Sequence, residues 1–165
     1  MRLAGAVLVC LAALALPAAA QREPPPAADV STDAAETTLE DLLQQIGLLG
    51  TWAADCTQVA SPANPRVSIT VPSEGLVIEE HNIGPGFAAN RYSVLSAQRL
   101  PGDRVALQVI FQPGTQIEER QNLILLVQRG TRRTLFNQPE GGPVRVNDGV
   151  AVGRGTKTPT LRKCG

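Results

Sequence analysis

The sequence predicts an all-β protein: a closed up-and-down antiparallel barrel of about eight strands with one short N-terminal helix. Three observations carry that expectation. From Gly50 onward, short stretches of alternating apolar and polar residues are separated by Gly- and Pro-bearing turns. Residues 38–47 are the one stretch with convincing helical spacing. Cys56, near the start of the strand pattern, and Cys164, next to the last residue, offer a bridge between first and last strands, which are neighbours in a closed barrel.

Residues 1–20, "MRLAGAVLVCLAALALPAAA", have the layout of a signal peptide. Arg2 supplies a positive end, residues 3–16 an apolar core, and Ala18, Ala19 and Ala20 a small-residue cleavage site. The competing reading, a membrane anchor, asks for an apolar run of about 20 residues, and this one is shorter. Cys10 would leave with the leader. A periplasmic or secreted location, without a membrane anchor, is therefore expected. Residues 21–36 are rich in Pro, Ala and small polar side chains that bury little apolar surface, and read as a flexible arm. The remaining 37–165 form one domain.

In the helical stretch, Leu39, Leu42, Leu43 and Ile46 make one apolar stripe. Thr37 and Glu40 have capping-box spacing, and Gly47 stands where a helix stops. Strands are then expected around 67–71, 75–83, 90–100, 104–112, 119–130, 131–138, 142–152 and 157–164, with "NDG" at 147–149 as a turn. The clearest is "RVALQVIFQ", in which Val105, Leu107, Val109 and Phe111 share a face and are the candidate barrel lining. Residues 123–127 are apolar on both faces, which predicts that the helix covers their outer side.

With the leader removed, two cysteines remain, and an even pair in an exported chain reads as one disulfide, Cys56–Cys164. Closing so long a loop contributes about 4–5 kcal/mol in the chain-entropy model. Trp52 and Cys56 are expected on one strand face, with Trp52 plugging a barrel end. Arg162, two residues before Cys164, is expected to pack on the indole.

Gly50-Thr51-Trp52 after a short helical lead-in, opening an eight-strand pattern with a late Arg, resembles the lipocalin-like (calycin) barrels. The resemblance implies that the Gly-x-Trp opens the first strand and that Arg162, with Arg132 or Arg133 as alternatives, packs on Trp52. The chain also resembles compact, disulfide-closed barrels that bacteria export, including uncharacterised alphaproteobacterial proteins with a Trp-x-x-x-Cys opening. Among such barrels are inhibitors of secreted metalloproteases that act through an N-terminal arm, and the arm here is compatible with that.

Residues able to do chemistry are few. His81 is the one histidine, and Glu79 shares its strand face, but two groups do not complete a metal site, so no metal is expected and His81 reads as an exposed strand-end side chain. The carboxylates of 78–80 and 118–121 read as solvated strand ends, and no serine has a nucleophile elbow. "GVAVGRGTKT" lacks the Gly-Lys-Ser/Thr order of a phosphate loop. Arg129, Arg132 and Arg133 read as solvated turn charges. Fifteen basic residues balance fifteen acidic ones, which argues against nucleic acid as a partner. The sequence thus predicts no catalytic residues, no cofactor and a non-enzymatic barrel that takes a small apolar ligand. The alternative is a module that binds a protein, such as a protease, through the arm.

Overall fold

A computed structural model describes residues 37–165; the expected leader at 1–20 and arm at 21–36 lie outside these described residues. Helix α1 spans Leu39–Gln45 and begins one residue later than the capping box suggested: Thr38 is the N-cap, and its hydroxyl accepts the Asp41 amide at 3.1 Å. It ends in a Schellman arrangement. Gly47 takes φ +70°, its amide bonds the Gln44 carbonyl, and the Leu48 amide returns to Leu43 at 2.9 Å. Leu43 and Leu48, the apolar pair that accompanies this motif, are both buried.

The strands follow as β1 Gly50–Ala53, β2 Arg66–Ser73, β3 Leu76–Asn82, β4 Asn90–Leu100, β5 Arg104–Phe111, β6 Glu119–Gln128 and β7 Thr131–Pro139. After them come three two-residue strands, β8 Val146–Asn147, β9 Val150–Ala151 and β10 Thr156–Lys157, then β11 Leu161–Cys164. Strands β1 to β7 form an antiparallel meander. Strand β11 pairs with β7 on one side and β1 on the other and closes the ring of eight. The stretch 142–152 turns at Asp148 and Gly149, within the expected "NDG" turn, and its short strands leave β7 as the small β8–β10 flap.

Alternation along β2, β3 and β5 sends Val67 and Ile69, Val77, and Val105, Leu107 and Val109 into the interior, where all are buried. Three irregularities break the pattern, the first in β2, where the register shifts between Thr70 and Ser73. In β4 the pairing slips at Leu95, and in β7 it slips at Leu135. On β7, Arg132 and Thr134 therefore share a face with Asn137 and Pro139, which strict alternation forbids.

Trp52 is 1% exposed, and its indole N–H donates to the Leu48 carbonyl at 2.9 Å. With Leu43 and Leu48 it fills the barrel end that carries the β4–β5 turn. So α1 closes this end and contacts β4, rather than covering the outer side of 123–127 as expected. The outer face of β6 is shielded differently: Ile124 lies between Ala106 on β5 and Phe136 on β7, all three half-buried.

The cation beside the indole also differs from expectation. Trp52 is opposite Lys163, whose Nζ stands 5.6 Å from the ring centroid and donates to the Gly47 carbonyl at 2.9 Å. Arg162 is opposite Ala53, on the other strand face, and does not pack on Trp52. The ladder register decides this: β1 ends at Ala53, so the alternation that would join Trp52 to Cys56 stops before Cys56 is reached. The Cys56–Cys164 disulfide itself is present, with Cα atoms 5.6 Å apart.

Gly50 opens β1 at φ +116°, and an added Cβ would stand 3.2 Å from Lys163 Cε. Gly50→Ala is expected to cost about 1–3 kcal/mol, because a left-handed backbone and the Lys163 stem both oppose the methyl group. An unchanged urea midpoint would show that this turn relaxes freely.

Candidate functional site

The interior between the Trp52 end and the opposite rim is not filled. A cavity of about 270 Å³ lies there, its apolar wall made by Val67, Leu107, Val109, Leu123, Leu125 and Leu161. Of the sequence-predicted lining, Leu107 and Val109 reach the cavity. Val105 lies on the far side of them, toward α1, and Phe111 is half-buried beside Tyr92.

Polar side chains line the rest. Alternation carries Glu79 and His81 inward behind Val77 on β3, and the start of β7 brings Arg132 across from the other wall. The Arg132 guanidinium donates to both Glu79 oxygens, at 3.1 and 2.9 Å, with Arg132 5% and Glu79 8% exposed. His81 Nε2 lies 2.5 Å from Glu79 Oε1. An ionised carboxylate only accepts, so Nε2 carries the proton and, in the neutral ring, Nδ1 keeps a lone pair. Burial alone would raise the Glu79 carboxyl. The Arg132 charge, followed by the hydrogen bond and charge of His81, outweighs it and holds Glu79 well below the usual carboxylate range.

The expectation of solvated charges at 78–80 and at the Arg cluster is thus overturned for Glu79 and Arg132, whose pairing across the barrel accounts for their burial. Arg133 is held too, donating to the Gly149 carbonyl at 2.7 Å and to the Thr158 hydroxyl at 3.1 Å.

A second polar chain runs along the opposite rim. Arg145 grips Glu119 with two bonds of 2.8 Å, Gln121 donates to Glu119 at 2.6 Å, and Asn137 donates to Gln121 at 2.8 Å. Each amide is oriented by its neighbour: the carboxylate demands N–H from Gln121, whose carbonyl then demands N–H from Asn137. The Asn137 carbonyl oxygen is left buried without a protein partner.

Tyr92 stands between the two ion pairs, its ring centroid 5.0 Å from His81 and 5.2 Å from Phe111. Its hydroxyl makes no hydrogen bond to another described residue. Burial first and then the Glu79 charge, with Glu119 adding and Arg145 and Arg132 partly opposing, push its pKa from 10.0 up to about 12. As the chain has one tyrosine, phenolate absorbance reads this group directly. The folded protein is expected to titrate near pH 12, against 10.0 for the unfolded chain. The associated stability is fully present below pH 10.0 and lost as the pH rises toward about 12. A midpoint near 10.0 in the folded state would contradict the burial of Tyr92.

Nothing in the sequence marked Tyr92 as interior, and Arg132 was marked only as an alternative partner for Trp52, not as the partner of Glu79 that it is. Glu79 and His81 carried a signal, their inward parity with Val77, but a charged pair at a strand end reads equally well as solvated. Among the described residues no three His, Cys, Asp or Glu side chains gather so as to hold a metal ion, and no helix is long and apolar enough to cross a membrane. Comparison with known proteins finds no matching family model, no matching curated protein and no matching solved structure.

Proposed function

We propose that this protein is a non-enzymatic, exported binding protein of lipocalin-like type, holding one small ligand inside the barrel. The observation that carries this reading is the cavity of about 270 Å³, walled by aliphatic side chains from β2, β5, β6 and β11. An apolar cavity of about 150 Å³ accommodates benzene, so this one suits a ligand of roughly ten to twelve non-hydrogen atoms. The wall accepts an apolar body; the polar groups of Glu79, His81, Tyr92 and Arg132 make the ligand amphipathic rather than a pure hydrocarbon. The Gly50-Thr51-Trp52 opening of β1, with its buried indole beside a cation of the last strand, favours the lipocalin-like reading. The Cys56–Cys164 disulfide favours an oxidising compartment, periplasmic or extracellular.

The test is native mass spectrometry of the chain exported to an oxidising periplasm and purified gently, beside a Leu123→Trp variant whose indole occupies the cavity. Wild type is expected to carry an adduct that the variant lacks. A bare wild-type mass, or an adduct held equally by both, rejects the cavity as the binding site.

A further inference from the structure

We propose that the ligand is a neutral alcohol or phenol, not a carboxylate, and that its hydroxyl donates to His81 Nδ1 while accepting from the Tyr92 hydroxyl. This rests on reading the cavity as the ligand site.

The first ground is charge. An arginine inside a barrel suggests an anion at first sight, yet each arginine near this cavity is already engaged. Arg132 spends two N–H groups on Glu79, Arg145 spends two on Glu119, and Arg133 bonds the Gly149 carbonyl and the Thr158 hydroxyl. Each carboxylate at the cavity is matched by its own guanidinium. A bound carboxylate would bring an uncompensated charge beside Glu79, and a bound ammonium would bring one beside Arg132. Either is costly in a water-poor interior.

The second ground is hydrogen-bonding capacity. Three polar groups of residues that line the cavity have no partner among the described residues: the second imidazole nitrogen of His81, the Tyr92 hydroxyl and the buried Asn137 carbonyl oxygen, of which the first two lie on neighbouring rings. Glu79 fixes the tautomer, because its carboxylate claims the Nε2 proton. In the neutral ring Nδ1 is therefore an acceptor that awaits a donor. Tyr92 remains a protonated donor well above neutral pH.

The third ground is geometry. The two rings line the same cavity as neighbours, with centroids 5.0 Å apart at 44°. A hydroxyl supplies one donor and two lone pairs on a single atom, which is the complement of an acceptor and a donor side by side. An ether lacks the proton for His81; a carboxylate lacks it too and carries the charge that the cavity has no counter-ion for. The aliphatic wall then takes the rest of the molecule.

The experiment is calorimetric titration of the full mature chain with three probes of matched body: 4-propylphenol, 4-propylanisole and 4-propylbenzoate. The phenol is expected to bind wild type about three- to tenfold more tightly than the anisole, which lacks only the bond to His81, and at least about tenfold more tightly than the benzoate, which lacks that proton and adds a charge. His81→Phe should weaken the phenol about three- to tenfold and leave the anisole unchanged, whereas Tyr92→Phe should weaken both. The wild-type ranking needs no variant to fold.

Benzoate binding as tightly as the phenol overturns the proposal and leaves the cavity reading standing. So does phenol and anisole binding within about twofold of each other. If none of the three binds at millimolar concentration, the cavity reading falls and the proposal with it.

Discussion

Arg132→Met is expected to destabilise the protein by about 3–5 kcal/mol at neutral pH, because it strands the buried Glu79 carboxylate. Arg132 and Glu79 are 5% and 8% exposed, so water does not replace the lost guanidinium, and His81 alone remains to face the charge. The pH dependence carries the sharper test. In wild type the Glu79 pKa is depressed below its unfolded value of 4.5, so the pair's stability is present above that pH and is lost as the pH falls through the folded value. In the variant, burial is no longer opposed by Arg132, the folded pKa moves upward, and the sign reverses. Acidification then relieves the stranded charge. The gap in urea stability between wild type and variant should accordingly narrow on going from about pH 7 to about pH 4. The paired variant Glu79→Leu with Arg132→Met should recover most of the loss, since an apolar pair of similar bulk replaces a desolvated ion pair at little cost. A single variant within about 1 kcal/mol of wild type at neutral pH would mean that Glu79 reaches water after all.

The same residues mark how far the sequence could be read. The alternation of Val105, Leu107 and Val109 was legible because β5 is regular and all three are buried. The ring itself was legible in the spacing of the turns and in the two cysteines. Glu79 was not legible as an interior residue, since its counter-charge lies 53 positions away, on the far wall. No local pattern reports such a pairing. Asn137 was hidden for another reason: the bulge at Leu135 changes which residues of β7 face inward, and a bulge leaves no mark on hydrophobic period. The cation on Trp52 was misplaced by one residue, Arg162 for Lys163, because a four-residue β1 gives too short a register to extrapolate to Cys56. The docking of α1 depended on the apolar outer face of 123–127 having no other cover. Ala106 and Phe136 supply that cover from neighbouring strands.

The short β1 leads to the other large effect. Replacing both Cys56 and Cys164 by serine is expected to remove about 4–5 kcal/mol and to lower the melting temperature by on the order of 15 °C. The bridge spans 108 positions, so in the chain-entropy account it constrains nearly the whole unfolded domain. Its place in the ring matters as much as its length. Strands β4 to β7 are joined by long ladders, whereas β11 joins β1 through Thr51–Cys164, Trp52–Lys163 and Ala53–Arg162 alone, and joins β7 through Leu161–Arg132 and Arg162–Thr131. The ring is therefore closed at a seam with few backbone bonds, and the disulfide lies across that seam. Opening it would free Leu161 from the cavity wall and expose the indole that Lys163 covers. Hydrogen exchange should report this regionally: without the bridge, amides of β1 and β11 exchange well before those of β5 and β6, while in the oxidised protein the two groups lie closer together. Equal melting under oxidising and reducing conditions, with no selective loss of protection in β11, would mean that side-chain packing around Trp52 alone holds the barrel shut.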